Sequence, residues 1–233
     1  MTLPSIAIIA PTIGRKFLKR AIASIAAQGL TDQDQVFFVG DGPQPRVAEY
    51  FKTLPPQFIY MDGPETKDYG NAQRNHVLDG HFVTADVISW MDDDDIYAAG
   101  AFSAIRADAL AHPGKVLLYR FRHHGGGLVW TTRGHVVKTQ IGGHCIVAPN
   151  NSRLGRWGAD YCGDFDFIWS TLKNYAPNEA VWIDRCIAYQ RPTQTHWDQN
   201  YPGLSWSLWD IGMTAGELRE RYPKLYGFGD REE

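Results

Sequence analysis

Short apolar runs recur through the first ninety residues, and each is closed by polar or turn-forming residues. Ser5 to Ala10 ends at Pro11-Thr12 and then Gly14, and Gln35 to Val39 breaks at Gly40-Asp41-Gly42-Pro43. Gln57 to Met61 follows, and Val87 to Met91 ends abruptly in Asp92-Asp93-Asp94-Asp95. Runs that stay apolar at every position suit strands covered on both faces, as in a parallel sheet. Between the first two runs Leu18, Ala21, Ile22, Ile25 and Ala26 recur at helical spacing. A short helix is predicted between the second and third runs, another over Asn71 to Phe82, and a fourth over Ala98 to Ala111, which stops near His112-Pro113-Gly114. Alternation of strand and helix predicts a mostly parallel central sheet with helices on both faces.

The pattern changes after Gly114. Lys115 to Arg122 and Leu128 to Thr132 flank His123-His124-Gly125-Gly126-Gly127, which predicts an antiparallel hairpin with a loose turn. Another strand is expected within Val136 to Val147, a helix over Phe165 to Asn174, and one or two short strands over Val181 to Tyr189. Arg191 to Gly203 is polar, aromatic and interrupted by proline, which reads as an ordered loop or lid. Leu204 to Tyr222 reads as helical in pieces and Gly227 to Glu233 as a charged tail. The expectation is one domain over 1–233, with 1–114 as the nucleotide-type half and 115–233 as the acceptor-type half.

Composition changes this picture little. The 233 residues can bury a substantial core, and 23 basic against 26 acidic residues leave a net charge of −3 with no general bias toward nucleic acid. No apolar run approaches the roughly 20 residues of a membrane helix, and the first residues lack a signal-peptide pattern, so the chain reads as cytoplasmic. Cys145, Cys162 and Cys186 show no metal or disulfide spacing and read as small buried residues. Tryptophans crowd the last third, as a sugar platform or simply as core.

The junction at Val87 to Asp95 is where chemistry is expected. Side chains in a strand alternate faces, so Asp92 and Asp94 can point to the same side roughly 7 Å apart, with room for one divalent cation between them. Adjacent carboxylates that are partly buried must take up protons or be neutralised. Oxygen ligands favour magnesium, manganese or calcium. The alternative is a solvated acidic turn, but the carboxyl ends of strands in open α/β sheets are where ligands bind.

Taken in order, Ile6-Ala7-Ile8-Ile9-Ala10-Pro11-Thr12 with its helix to Gln28, Phe38-Val39-Gly40-Asp41-Gly42, Gly70-Asn71-Ala72-Gln73-Arg74-Asn75, Ile88 to Asp95, and Gly163-Asp164-Phe165-Asp166 resemble a family 2 type glycosyltransferase of the GT-A fold. The resemblance covers roughly residues 5 to 175. It implies a metal-dependent, inverting transfer of a hexose from a nucleotide sugar, such as a uridine diphosphate sugar, to a hydroxyl acceptor, with manganese or magnesium as Lewis acid. It implies that Asp94 binds the metal directly and that Asp92 touches the ribose or the metal through water. Asp93 joins the donor site or caps the turn, and Asp95 is a further turn-capping candidate. Asp41 would read the base or ribose, although Gly40 stands where a first aspartate is usual, and Asp41-Gly42 is also an ordinary turn. Arg74 and Asn75 would contact diphosphate or base, and Pro11 and Thr12 would line the cleft. Asp164 matches the general base, with Gly163 in place of the usual glutamate and Asp166 as the competing carboxylate. His196 falls where a third metal ligand is often supplied, and His144 is a weaker candidate near the acceptor side.

Two other readings stand beside this one. A GT-A domain that binds a nucleotide sugar or glycan without transferring it would explain Gly40 and Gly163. A phosphatase of the haloacid dehalogenase type shares an acidic motif after a strand, but here the motif follows the fourth strand and Ile96 replaces the usual Thr or Val. Nucleic acid enters only as an acceptor, such as a hydroxylated base, and would need a basic stripe drawn from Arg120, Arg122, Lys138, Arg153 and Arg156.

Overall fold

The computed structural model describes residues 2–15, 17–130, 132–202 and 204. The expected helical pieces beyond Leu204 and the charged tail lie outside the described residues. The chain alternates β1 (Ile6–Thr12), α1 (Leu18–Ala26), β2 (Gln35–Asp41), α2 (Pro45–Phe51), β3 (Phe58–Gly63), α3 (Asn71–Asp79) and β4 (Val87–Trp90). It continues with β5 (Ile96–Tyr97), α4 (Ala101–Ala111), β6 (Val116–Arg122), β7 (Leu128–Val129), β8 (Ile146–Pro149), α5 (Gly163–Leu172), β9 (Ala180–Tyr189) and α6 (Gln194–Asn200).

One sheet of the order β3-β2-β1-β4-β8-β6-β9-β5 runs through both halves of the sequence, with β7 paired to β6. The β1–β2, β2–β3, β1–β4 and β6–β9 pairs are parallel. The β4–β8, β6–β8, β6–β7 and β5–β9 pairs are antiparallel and all involve strands at or after the acidic segment. The architecture is the expected one, a mixed α/β sheet whose antiparallel portion belongs to the second half.

The unbroken apolar runs follow from burial on both faces. In β1, Ile6, Ile8 and Ala10 join one core with Leu18, Ile22 and Ile25 of α1, while Ala7 and Ile9 join the opposite core with Val77 and Leu78 of α3. In β2, Val36 and Phe38 divide from Phe37 and Val39 in the same way. The two-residue period of a strand sends neighbours to opposite faces, and helices on both sides make every position apolar. Most of the tryptophans described are core: Trp90, Trp130, Trp157 and Trp197 are buried, and only Trp169 is open to solvent.

Two segments differ from expectation. The strand sought within 136–147 is delayed to β8, because Gly142-Gly143 admits a tight 3-10 turn over Gly143–Cys145 that turns His144 inward. The polar stretch after β9 contains a helix, α6, capped by Thr193, whose hydroxyl accepts the His196 N–H. Trp197 and Tyr201 bury against Ile96, and the Tyr201 hydroxyl donates to the Tyr97 carbonyl at 2.6 Å. Among the described residues no helix is long and apolar enough to cross a membrane.

Candidate active site

Successive strands β1, β2 and β3 are laid down in one direction, and β4 then returns to the other side of β1. The crevice between the carboxyl ends of β1 and β4 is therefore the switch point, where open α/β sheets bind ligands. Thr12 ends β1 there, and the acidic segment follows β4.

That segment is a turn, not a strand. β4 stops at Trp90, and the Asp95 N–H bonds to the Asp92 carbonyl at 3.3 Å. The alternation that would pair Asp92 with Asp94 does not extend this far, and each carboxylate goes to its own partner. Asp92 forms an ion pair with Arg74 of α3. Asp93 accepts from the Thr12 hydroxyl at 2.6 Å and lies 3.2 Å from Arg15. Asp94 lies 2.8 Å from Arg15 and 3.4 Å from Arg191. Asp95 accepts the Arg191 N–H at 2.7 Å and meets His144 Nε2 at 2.6 Å. Three guanidiniums and an imidazole from separate parts of the chain thus balance the tetrad.

The charges within the turn are unequal. Burial pushes Asp93 up to about 6 and Asp95 up to about 7, in both cases against a neighbouring cation. Burial also acts on Asp92, but Arg74, His144 and Arg15 outweigh it and hold that carboxyl below its ordinary value. Burial pulls the His144 imidazole down, and Asp95 with Asp92 carries it back above its ordinary value.

Ligand atoms of Asp92, Asp95 and His144 lie within 4.8 Å of one another, the grouping able to hold a metal among the described residues. Asp95 Oδ2 and His144 Nε2 are buried and have only each other as partner. Two carboxylates and an imidazole fit manganese or magnesium. Of the three residues expected as ligands, Asp92 belongs to this group, and Asp94 and His196 do not. His196 Nδ1 lies 3.2 Å from both the Thr193 N–H and its hydroxyl, and the ring lies on Tyr189 at 5.0 Å, so His196 serves the start of α6.

The other expected residues divide. Arg74 is buried, donates to the Tyr69 carbonyl, and lies 4.3 Å over Trp157, which stacks on Phe167 at 4.8 Å. Both amide atoms of Asn75 bond to the Trp157 backbone, at 3.0 and 2.9 Å, and tie α3 to the second half. Asp41 accepts the Thr66 and Lys67 N–H groups at 2.7 and 3.1 Å and the Gln73 amide at 2.9 Å, which clips the loop before α3. Thr12 is bound to Asp93, and Pro11 precedes it at the cleft.

Asp164 lies in the first turn of α5 and accepts the Phe165 N–H at 2.7 Å. Its Oδ2 lies against Gly142, in the segment that carries His144. Burial pushes its carboxyl up to about 6, with the Phe165 N–H and Arg74 opposing and Asp92 adding. Asp164 therefore shares the field of Arg74, Asp92 and His144, whereas Asp166 lies against Gly158. The two glycines that depart from the family pattern have steric causes. A Cβ on Gly40 would meet the Tyr60 hydroxyl at 2.5 Å, and one on Gly163 would meet the Gly158 carbonyl at 2.5 Å and the Asn71 amide at 2.6 Å.

Sequence reasoning did not single out Arg15, Arg191 or Asp95. Arg15 and Arg191 sit in loops remote in sequence from the tetrad, and only the folded chain brings them to it. Asp95 is read from the sequence only as a turn-capping residue, because the resemblance assigns the metal to Asp94 and Asp92.

The model of the family described as Glycosyl transferase family 2 matches residues 7–169. Among solved structures, S. aureus TarS is similar at 14% identity and a TM-score of 0.65, over 84% of this chain and 38% of that one. S. aureus TarS 1-349 in complex with UDP is similar at 16% identity and a TM-score of 0.63, over 84% of this chain and 62% of that one. The same protein in complex with UDP-GlcNAc gives 15% and 0.62, over 80% and 58%. The chain spans less than two thirds of these structures, and likeness at such identity is likeness of fold. No curated protein matches the sequence.

Proposed function

The chain belongs to glycosyl transferase family 2, and from that premise we propose that it transfers a hexose from a uridine diphosphate sugar to a hydroxyl acceptor with inversion at the anomeric carbon. The observation that carries this reading is the convergence, at one switch point, of the acidic turn, Arg74 and the raised carboxyl of Asp164. The complexes of the similar TarS structures with UDP and UDP-GlcNAc support the donor class. Residues 1–114 would supply the larger part of the donor site, and 115–233 would add His144 and Arg191 to it and carry the base and the larger part of the acceptor side.

In this mechanism Asp164 takes the proton of the acceptor hydroxyl. The oxygen attacks the anomeric carbon from the face opposite the leaving group, the bond from that carbon to the diphosphate oxygen breaks, and uridine diphosphate leaves. Arg74, Arg15 and Arg191 set positive charge where the diphosphate gains negative charge. Asp92, Asp95 and His144 would hold manganese or magnesium, which supplies Lewis acidity toward the diphosphate when bound. Asp94 anchors Arg15 within the same turn. Because Gly40 and Gly163 have steric causes, they lend no support to a binding-only domain.

The test combines calorimetry of UDP with manganese and an assay of UDP release from UDP-glucose and UDP-GlcNAc. Asp164→Asn is expected to keep UDP affinity and to lower turnover by about 10²–10⁴-fold. His144→Ala and Asp95→Ala should weaken the manganese dependence of UDP binding, and His196→Ala should leave it in place. Full turnover in Asp164→Asn would sink the assignment of the base, and manganese-dependent binding that survives in both His144→Ala and Asp95→Ala would sink that of the metal group.

A further inference from the structure

Two exposed tyrosines lie in the loops that lead into Arg74 and Asp164 and have no part in the mechanism above. Tyr161 is 77% exposed and Tyr69 38%, and their rings meet edge to face at 5.4 Å and 79°. They come from loops remote in sequence, one leading into α3 and the other into α5. Each loop is held by a backbone carbonyl to a residue at or beside the site. The Tyr69 carbonyl accepts from Arg74 at 3.2 Å, and the Asp160 carbonyl, immediately before Tyr161, accepts the Gly163 N–H at 2.9 Å and the Asn71 amide at 3.0 Å. Tyr161 is three residues from Asp164.

The backbone of Tyr69 is also held where a bulky side chain is disfavoured, at φ 67°. Strain of this kind persists only where the surroundings over-determine it, and it gathers at ligand clamps. Here Asp41, which grips Thr66 and Lys67, and Arg74, which grips Tyr69 itself, hold the loop in that shape. The fold therefore maintains an unfavourable conformation to present an aromatic face that its own core does not cover.

We propose that Tyr69 and Tyr161 form an acceptor subsite that stacks on the carbon–hydrogen face of a neutral sugar ring and presents its hydroxyl to Asp164. The proposal rests on the glycosyltransferase reading and adds the acceptor class to it. A tyrosine pair offers apolar area at low entropic cost together with polar tips, the combination a hydroxyl-rich ring requires. Charge selects a neutral ring over a polyanion. Asp68 and Asp160 adjoin the two tyrosines in sequence and Asp164 lies just beyond. Four of the five basic residues that a nucleic acid would need are engaged elsewhere: Arg120 with Asp184 at 3.0 Å, Arg153 with Glu179 at 2.7 Å, Arg156 with Asp79 at 2.8 Å, and Arg122 with the Gly126 carbonyl at 2.7 Å.

The experiment titrates the whole chain, with UDP and manganese present, with cellotetraose, chitotetraose and a 20-mer DNA duplex. Binding of at least one oligosaccharide is expected, weakened about tenfold in Tyr161→Ala and restored to within about twofold in Tyr161→Phe. Tyr69→Gly, which suits the left-handed backbone, should weaken oligosaccharide binding while raising the melting temperature. Trp169→Ala, which alters the separate aromatic cavity near Trp182 and Tyr175, should change nothing. The proposal is overturned if neither oligosaccharide binds to a chain that binds UDP, if binding is indifferent to Tyr161→Ala, if it is lost in Trp169→Ala instead, or if only the duplex binds. Failure to bind UDP would count against the donor reading, and the effect of Tyr161→Ala on the oligosaccharides would still decide the subsite.

Discussion

Asp164 illustrates how one residue carries opposing demands. Burial lifts its carboxyl from the ordinary 3.8 to about 6, so the folded chain binds this proton more tightly than the unfolded chain does. The sign follows directly: between about pH 4 and pH 6 the folded state holds the extra proton, and stability contributed by this group falls as pH rises through that window. Above it the native state carries a disfavoured charge. Asp164→Asn should accordingly stabilise the fold at pH 8 by on the order of 1–2 kcal/mol, allowing for partial exposure, with the gain vanishing near pH 4. Denaturant melts at the two pH values check this. The same carboxyl must be ionised to act as base, so kcat/KM should climb with pH to a plateau through an apparent pKa near 6. A limb centred near 4 would remove Asp164 from the role. The sequence offers both Asp164 and Asp166 in Gly163-Asp164-Phe165-Asp166 and the family pattern favours Asp164, but which carboxylate shares the field of Arg74 and Asp92 depends on the first turn of α5, which no local pattern encodes.

At the scale of elements, the acidic turn and α6 are where local pattern and tertiary structure part. An apolar strand followed by four acids suggested continued alternation, yet the Asp92–Asp95 hydrogen bond closes a turn, and the Arg15 guanidinium with the guanidinium and backbone N–H of Arg191, from two distant loops, distributes the carboxylates. Nothing local encodes Arg15 or Arg191 as partners. α6 was hidden differently. Pro192 and the mixture of polar and aromatic residues masked its periodicity, although Thr193 three residues before His196 is an ordinary cap signal. That cap should matter, because α6 is short and is held by Trp197 and Tyr201 packed on Ile96, next to Asp95. Thr193→Ala is expected to destabilise the chain by about 1 kcal/mol. It should also raise hydrogen exchange in 194–200 more than in β1 or β2. Uniform exchange across these segments would show that α6 is not an independent unit of opening.

At the scale of the molecule, the parallel half was legible because burial on both faces writes itself into unbroken apolar runs, and those runs fixed the positions of Thr12 and Asp92 at strand ends. The second half was less so, since β8 and the turn before it answer to Gly142-Gly143 and to the pairing of His144 with Asp95, neither of which has a period. The two halves are nonetheless bound through one sheet, through the Asn75–Trp157 pair and through Arg74 stacked on Trp157. The candidate donor site is built from both, with Thr12, Arg74 and the acidic turn from one and His144, Asp164 and Arg191 from the other. Binding there should stabilise a single cooperative unit. With UDP and manganese at about 100 times the dissociation constant, mass action adds about 2.7 kcal/mol, which for a chain of this size is roughly a 5–10 °C rise in melting temperature. One calorimetric transition that moves as a whole is the expected result. In Trp157→Leu, which removes the stacking surface under Arg74 while keeping an apolar side chain, the shift should shrink. Two transitions, with only one responding to UDP, would mean that the halves unfold separately and that the donor is held by the first alone.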